Sequence, residues 1–409
     1  MRGRTALTGL AGWLAAETAV HLLVRRLRPS FPWLIGDDDV APDIDERLVA
    51  RHASNSFDAD LGWCRRPGQT GTERTRDGTT SYTIDPLGRR NNPGFEDVRS
   101  QVACFGDSFV FCRLVNDDQT WPHQLSRLLG THAANYGIGN YGLDQALLRL
   151  ERELPSLEAH VVVMGVVPET IARVHSYWKH YFEYGNTLAF KPRFVLDPAG
   201  RLHHHGPAVR TPAEYATYHR HLDRIQSLDH FFDAKFRRDL LRFPYLPRIA
   251  RRFGRHGPIL RHLVAGLVSG DHEHAFARAF DVVLRDNARW TAGLYRDPRA
   301  LALLEALVAR FAERCTAAGK QPVLLVMPQP VDLQRDGGAA YAQAFASMRR
   351  ILPVIDVTPA FRDAPDHRAL FAHGRLGPHP NHEGNALIAQ AVARQIDHHI
   401  TPQPKQNQP

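Results

Sequence analysis

The run HVVVMGVV, at residues 160–167, constrains the fold more than any other part of this chain. A continuous apolar, β-branched run is typical of a strand that is buried on both faces of a parallel sheet. Segments with the apolar spacing of helices separate it from four further runs with the composition of strands: QVACF, HAANYGI, KQPVLLVMPQP and LPVIDVTPAF. This alternation predicts an α/β fold, a three-layer, doubly wound parallel sheet of five strands. The functional site of such a sheet lies beyond the carboxyl ends of its strands.

A stretch of roughly 130 residues separates the third predicted strand from the helix that leads into the fourth. Ordinary connections are far shorter, so we expect a helical insertion between strands 3 and 4. The predicted segments are an N-terminal helix (1–28), a loop- and strand-rich extension (29–98), a first core half (99–195), a basic helical insertion (196–300), a second core half (301–400) and a polar tail (401–409).

The N-terminal run from residue 6 to residue 24 is largely apolar and has arginines on both sides. Its length is that of a membrane span, but Glu17 and His21 interrupt it, and a convincing small-residue cleavage site is lacking. We therefore expect membrane association through an uncleaved anchor or an amphipathic helix, on an undetermined side of the membrane. The alternatives are a helix packed on the protein itself and a cytoplasmic location.

Positive charge is concentrated in the predicted insertion. Residues 201–300 contain 18 Lys and Arg against 10 Asp and Glu, a difference of +8 that equals the formal net charge of the whole chain. Within 235–262, nine basic residues accompany only Asp239. Interleaved apolar residues suit an anionic membrane surface or a polyanionic substrate, and a solvated helical face fits equally well. Nucleic acid is the least favoured partner because no binding motif accompanies the charge.

The stretch CFGDSFVFC, at residues 104–112, joins the first predicted strand to a helix. Asp107 and Ser108 are both favoured helix-capping residues, which gives the turn an ordinary structural explanation. The functional interpretation makes Ser108 a nucleophile, presented at the carboxyl end of a strand among backbone N–H groups.

Two further motifs supply what such a nucleophile needs. NYGIGNYG, at residues 135–142, follows the second strand, and its glycines let N–H groups approach a developing oxyanion. LGPHPNHEGN, near the C-terminus, places His379 in a predicted loop before the last helix, where it is a candidate base.

With these motifs the chain resembles the SGNH (GDSL-type) hydrolase superfamily of esterases and acyltransferases, over residues 101–194 and 320–396, and looks like an uncharacterised bacterial branch of it. The resemblance implies a flavodoxin-like SGNH fold without a cofactor. It also implies that Ser108 attacks an acyl carbonyl, that His379 takes its proton, and that the N–H groups of Ser108 and Asn140 hold the oxyanion. Such branches are associated with acyl modification of surface polysaccharides.

The chain departs from the superfamily pattern at two places. The third block of the pattern carries an Asn after the third strand, but Gly165 is followed here by VVPETIARV, in which Thr170 is a poor substitute. The position of the acid, three residues before the histidine, is occupied by Leu376. Either a Ser–His dyad operates or another carboxylate orients His379. The candidate acids are Asp363, Asp366 and Glu383.

Aromatic and cationic residues are concentrated just after the third strand, in HSYWKHYFEYGNTLAFKPRF. Such residues suit sugar faces and acidic groups, or they anchor the inserted subdomain. The candidate substrate-binding residues are Asp107, Arg173, Tyr177 and Trp178. No metal is expected, because the histidines at 203–205 are consecutive and cannot all face one ion.

Together these patterns predict a serine esterase that acts on O-acyl esters of carbohydrate or surface polysaccharide. The alternatives are a polysaccharide O-acyltransferase on the same fold and a non-catalytic, membrane-tethered carbohydrate-binding protein. The distance between Ser108 and His379 discriminates between the catalytic and the non-catalytic hypotheses.

Overall fold

The computed structural model describes residues 2–31, 33–334, 339–374 and 377–396. Within these ranges the strands are β1 (Phe57–Asp58), β2 (Gly62–Trp63), β3 (Thr70–Arg74), β4 (Thr79–Thr83), β5 (Ser100–Gly106), β6 (His132–Asn135), β7 (Val161–Val166), β8 (Arg193–Leu196), β9 (Leu202–His205), β10 (Gln321–Val326), β11 (Val354–Asp356), β12 (Phe371–Gly374) and β13 (Gly377–Pro380).

The α-helices of the same ranges are α1 (Arg2–Leu27), α2 (Glu46–Asn55), α3 (Ser108–Phe111), α4 (Trp121–Leu129), α5 (Leu143–Glu153), α6 (Thr170–His175), α7 (Leu222–Leu228), α8 (Arg237–Asp239), α9 (Tyr245–Arg251), α10 (Phe253–Ser269), α11 (His272–Leu294), α12 (Pro298–Ala317), α13 (Ala339–Ser347), α14 (Thr358–Arg362) and α15 (His382–Ile396).

The five predicted strands form one sheet in the order β11-β10-β7-β5-β6, and every neighbouring pair is parallel. The predicted α/β fold with a five-stranded parallel sheet is therefore confirmed. In the register, Gly106 at the end of β5 lies opposite Gly165 in β7, and Val166 lies opposite Val326 in β10. The carboxyl ends of the central strands thus meet at one edge, where the sequence places its nucleophile.

Because side chains alternate along each strand, they fill one layer on each side of the sheet. On one face, Val102, Cys104 and Val163 join a buried cluster with Trp121 of α4 and Ile388 of α15. The other face is covered by α5, which contacts β5, and by α12, which contacts β10. Both faces of the sheet are thus covered by helices, which explains why β7 is apolar at every position.

The chain divides into two compact units. The sheet unit consists of the described residues within His52–Val174, Lys191–Pro207 and Thr291–Pro409. The helical unit consists of those within Met1–Arg51, His175–Phe190 and Ala208–Trp290. Most of the insertion between β7 and β10 thus belongs to the same unit as the N-terminal helix, while the hairpin β8–β9 belongs to the sheet unit.

In the helical unit, the polar residues that interrupt the N-terminal apolar run bind α9. Glu17 is buried and accepts hydrogen bonds from the N–H groups of Tyr245 and Leu246, the first residues of α9. A carboxylate at a helix N-terminus satisfies unpaired donors and interacts favourably with the helix dipole. One turn further along α1, His21 Nδ1 lies 2.9 Å from the Tyr245 hydroxyl. No helix among the described residues combines the length and apolar character of a membrane span.

Part of the basic insertion is turned inward. Lys235, Arg252 and Arg255 surround the carboxylates of Asp239 and Asp286. Lys235 is completely buried, and burial, opposed by the neighbouring carboxylates, lowers its pKa to about 8. These cations therefore join helices within the unit and contribute less to its surface charge than the sequence suggests.

Candidate active site

The nucleophile turn begins at Gly106, whose φ of +153° suits glycine. A Cβ there would lie 2.2 Å from the carbonyl oxygen of Gly165 on the neighbouring strand. Asp107 then caps α3, because its Oδ1 accepts a 2.8 Å hydrogen bond from the N–H of Phe109. Ser108 is consequently the first residue of α3, and its N–H points out of the helix without an intrahelical acceptor.

Ser108 and His379 meet across 271 residues of sequence. Ser108 Oγ lies 2.9 Å from His379 Nε2, which is hydrogen-bonding distance. His379 lies in β13 and pairs with Ala372 of β12 in an antiparallel hairpin, so the predicted loop position is wrong. Its ring also packs against the ring of Phe109, with centroids 4.9 Å apart.

The other nitrogen of the imidazole, Nδ1, faces the carbonyl oxygen of Gly377 at 3.4 Å. Because a carbonyl only accepts, this contact puts the proton on Nδ1 and leaves Nε2 free to accept from Ser108. The backbone thus selects the tautomer that a base requires.

None of the three candidate acids hydrogen-bonds this imidazole within the described part of the chain. Asp366 instead accepts from the N–H of Arg368, Glu383 lies in the first turn of α15, and Asp363 follows α14. Leu376, at the position of the usual acid, lies outside the described residues. The described residues therefore show a Ser–His dyad oriented by a backbone carbonyl.

Burial is the main influence on the charge of His379. Together with the nearby cations Arg113 and Arg173, it lowers the pKa of this histidine to about 3, and the Gly377 carbonyl only partly opposes the shift. The imidazole is therefore neutral at pH 7 and available as a base.

The loop after β6 folds against α3. Asn135 accepts from the N–H of Gly137 through Oδ1 (2.9 Å) and donates through Nδ2 to the carbonyl of Val110 (2.8 Å). This use of the Gly137 N–H leaves it unavailable to an oxyanion. Asn140, the predicted donor, has a φ of 71°, in the left-handed region that asparagine tolerates better than most residues.

Thr170 does not replace the missing asparagine. It is buried at the start of α6, where its Oγ1 accepts a 3.0 Å hydrogen bond from the N–H of Leu143. This contact joins α6 to α5 rather than directing the hydroxyl at Ser108.

Asp107 and Arg173, both predicted to bind substrate, bind each other. Arg173 Nη1 donates to Asp107 Oδ2 at 2.9 Å and to the carbonyl of Tyr141 at 3.1 Å. Glu169 receives the other side of the guanidinium, from Nη2 at 2.7 Å. Burial, opposed by the charge of Arg173, raises the pKa of Asp107.

Tyr177 and Trp178 are completely buried in the helical unit. Their N–H groups both donate to Asp229 Oδ2, and the Trp178 ring stacks on Phe190 with centroids 4.8 Å apart. They therefore offer no open ring face to a sugar, and both residues belong to the core of the helical unit.

Some supports of the site come from the extension before β5 and lack a motif that the sequence could reveal. Arg90 donates to the carbonyls of Phe111, Cys112 and Val115, which fixes the chain after α3. Glu73 pairs with Arg113 from the hairpin β3–β4. Their roles depend on long-range contacts, so only the fold reveals them.

Asn385, in the last helix, is a further support that the sequence did not single out. It is fully buried, donates to the carbonyls of Pro380 and Asn381, and accepts from the N–H of Trp121. Its position in the motif PNHEGN was the available signal. Among the described residues, no group of three or more His, Cys, Asp or Glu side chains is placed to bind a metal.

No family model matches the chain, and no curated protein matches it. Similar solved structures include a lipolytic protein of the G-D-S-L family from Desulfitobacterium hafniense, 12% identical with a TM-score of 0.32 over 72% of this chain and 97% of that one. A lipase/acylhydrolase from Enterococcus faecalis is 11% identical, with a TM-score of 0.35 over 75% and 99%. An acetylxylan esterase from Geobacillus stearothermophilus is 11% identical, with a TM-score of 0.33 over 75% and 96%. Likenesses this low support no conclusion about activity.

Proposed function

We propose that the protein is a serine-type ester hydrolase that uses a Ser108–His379 dyad. The observation that carries this proposal is the 2.9 Å separation of Ser108 Oγ and His379 Nε2 at the carboxyl edge of the sheet. A hydroxyl and a neutral imidazole in this geometry are the parts that acyl transfer requires.

In the proposed reaction, Ser108 Oγ attacks the ester carbonyl while its proton passes to His379 Nε2. The N–H groups of Ser108 and Asn140 receive the oxyanion of the tetrahedral intermediate. The imidazolium returns its proton to the leaving alkoxide, which departs as an alcohol and leaves an acyl-serine. Water then attacks the acyl-serine while one of its protons passes to His379 Nε2. The imidazolium returns this proton to Ser108 Oγ as the carboxylic acid leaves, which regenerates the serine. Among the described residues, Nδ1 faces a carbonyl and no carboxylate hydrogen-bonds it, so we expect slower turnover than in a full triad.

Labelling with a serine-directed fluorophosphonate tests the dyad. We expect labelling of the native protein and loss of labelling in Ser108→Ala and His379→Ala, with hydrolysis of p-nitrophenyl acetate lost in parallel. Ser156→Ala is the control, because Ser156 is an exposed serine of the sheet unit whose hydroxyl donates to the carbonyl of Glu153. A folded native protein that neither labels nor hydrolyses the ester would contradict the proposal and favour a non-catalytic carbohydrate-binding role.

The finer part of the proposal is the substrate, an O-acyl ester of carbohydrate or surface polysaccharide. Its support is the motif-level resemblance given above, since Tyr177 and Trp178 are buried and contribute none. Release of acetate from an acetylated polysaccharide, compared with release from a triglyceride of short acyl chains, tests this choice. Faster turnover of the triglyceride would overturn the carbohydrate assignment.

Acyl transfer to a sugar hydroxyl is a second candidate function. Ser108 and His379 are only 7% and 6% exposed, so access of water to the dyad is restricted. Where water reaches the acyl-serine slowly, a bound sugar hydroxyl competes with it as the acceptor. Mass spectrometry of reactions with an acetyl donor and an oligosaccharide acceptor distinguishes the two outcomes: acetylated oligosaccharide indicates transfer, and free acetate alone indicates hydrolysis.

We also propose that the helical unit binds an anionic membrane surface through the first half of α1. Residues 8–15 are exposed all round the helix and include Leu10, Trp13 and Leu14. Exposed Arg25 and Arg26 on the same helix supply charge that anionic headgroups attract. Of the two predicted forms of membrane association, an uncleaved anchor and an amphipathic helix, this proposal keeps the helix that lies on the membrane surface.

Sedimentation with vesicles tests the membrane proposal. We expect the native protein to bind phosphatidylglycerol vesicles more than phosphatidylcholine vesicles, and Trp13→Glu to weaken binding at least about tenfold. The matched control is Leu87→Glu, which places the same charge at a leucine that is 64% exposed in the sheet unit. Equal sedimentation of the Trp13 variant and the native protein would contradict the assignment.

A further inference from the structure

The two backbone segments that supply the proposed oxyanion donors are joined by one guanidinium. Arg173 Nη1 donates both to Asp107 Oδ2, at 2.9 Å, and to the carbonyl of Tyr141, at 3.1 Å. Asp107 directly precedes Ser108, and Tyr141 directly follows Asn140. One nitrogen atom thus fixes the spacing between the two loops.

Both ends of this bridge are fixed. Asp107 is buried and uses its other oxygen to cap α3 at the N–H of Phe109, so a movement of Asp107 moves the start of that helix. Arg173 is also buried, and Glu169, one turn earlier in the chain, holds the opposite edge of its guanidinium through Nη2 and Nε. A planar fork held on two edges keeps its orientation better than a flexible ammonium group does.

Two roles are open to Arg173: direct attraction of the oxyanion, and positioning of the two loops. The neighbouring charges decide between them. Two carboxylates, Asp107 and Glu169, lie within 3 Å of the one guanidinium, at 2.9 and 2.7 Å. Their charges offset that of the guanidinium, so its direct attraction for an oxyanion is small. Its hydrogen bonds to the two loops remain, and these act on geometry.

We propose that Arg173 is a positioning residue that sets the distance between the oxyanion donors of Ser108 and Asn140, through its shared hydrogen bonds to Asp107 and the Tyr141 carbonyl. The inference rests on the proposed ester hydrolysis. Oxyanion donors act on the transition state more than on the bound ester, so loss of the bridge reduces kcat more than it raises KM.

Steady-state hydrolysis of p-nitrophenyl acetate by Arg173→Met and Arg173→Lys tests the inference. We expect Arg173→Met to lower kcat about 100-fold with KM changed less than about threefold, because a displacement of about 1 Å has this order of effect. Arg173→Lys keeps a single donor nitrogen but loses the planar group that Glu169 holds, and we expect it to recover part of kcat. Asp107→Asn removes the other end of the bridge, and combining it with Arg173→Met adds little further loss, because both changes break one unit.

The matched control is Arg310→Met, which breaks the ion pair between Arg310 of α12 and Glu151 of α5. We expect it to lower the melting temperature without lowering kcat. If Arg173→Met does not fold, Arg173→Lys and Asp107→Asn carry the test. Unchanged kcat in these folded variants, or an equal loss in Arg310→Met, overturns the inference while leaving the dyad intact. A native protein that neither labels with fluorophosphonate nor hydrolyses the ester overturns the proposed function, and the inference with it.

Discussion

Ser108 and His379, the proposed nucleophile and base, are held in different ways. Ser108 lies in a turn fixed by charged and amide side chains, because Asp107 caps α3 and binds Arg173 while Asn135 holds the carbonyl of Val110. The imidazole of His379 is oriented by one long contact to a backbone carbonyl. Within the described residues, Ser108 is therefore held by more side-chain contacts than His379, and no carboxylate hydrogen-bonds the imidazole.

The largest effect is expected where the loop after β6 contacts the nucleophile helix. In Gly137→Ala, the new Cβ would lie 2.2 Å from the backbone nitrogen of Phe111, and backbone cannot move aside as a flexible side chain can. We expect α3 to shift and ester hydrolysis to fall at least about 100-fold. The measurement is kcat on p-nitrophenyl acetate, with circular dichroism to confirm folding.

Gly139→Ala is the matched control for this substitution, since a Cβ at Gly139 has no atom within 4 Å. It should keep activity within about twofold. Equal losses in the two variants would show that glycine flexibility in the loop, rather than close approach to α3, is what the site requires.

On the side of the base, the strongest support is Asn385 rather than a carboxylate. Asn385→Leu leaves the carbonyls of Pro380 and Asn381 and the N–H of Trp121 without their partner in a buried site. Unsatisfied buried groups cost about 1–3 kcal/mol each, so we expect a loss of about 3 kcal/mol in the free energy of unfolding. Activity should fall about tenfold as the hairpin that carries His379 loosens. Urea denaturation and kcat measure the two effects, and an unchanged unfolding free energy would contradict this role.

The sequence predicted the parallel sheet and singled out the turn at Ser108 because both depend on local patterns. The apolar run in β7 and the Gly-Asp-Ser turn are features of a few consecutive residues, and the structure places them as expected. The supports were not predictable in this way. Arg90 reaches three carbonyls from a segment without any motif. Arg173 was expected to bind substrate because it lies beside an aromatic and cationic stretch, and its buried partner Asp107, 66 residues away in the sequence, gave no local signal.

The aromatic residues after β7 show a second limit of prediction from sequence, because they are candidate substrate-binding residues by composition but are buried in the structure. Tyr177 and Trp178 have the composition of a sugar-binding surface, but composition does not reveal burial. Only the packing of Trp178 on Phe190 shows that these rings form a core.

The pH dependence of the reaction tests how the base differs from one in a full triad. Burial and the nearby arginines lower the pKa of His379 to about 3, so the imidazole stays neutral on acidification. We expect the rate of fluorophosphonate labelling to change less than about threefold between pH 8 and pH 5. An acid limb with a midpoint near 6.5, the ordinary value for histidine, would contradict the lowered pKa of His379.

Stability has to be measured alongside, because the same histidine affects unfolding. Its folded pKa lies below its unfolded pKa, so the unfolded chain binds the extra proton as pH falls below about 6.5. The contribution of His379 to stability is therefore fully present above that pH and is lost on acidification towards about pH 3. His379→Asn should reduce this acid sensitivity, and labelling rates are compared only where the native protein remains folded.

The smallest effects are expected from the candidate acids, and these decide how the base is oriented. Since no carboxylate hydrogen-bonds His379 among the described residues, Asp363→Asn, Asp366→Asn and Glu383→Gln should each keep kcat within about twofold. Asp366→Asn retains a side chain that can cap the following turn, so its stability should change by less than about 1 kcal/mol. A loss of 100-fold or more in one variant, with an unchanged melting temperature, would identify that residue as the acid of a triad. If all three variants keep kcat, the Gly377 carbonyl remains the group that selects the tautomer of His379. Ser108 would then depend on charged and amide side chains for its position, and His379 on a backbone carbonyl.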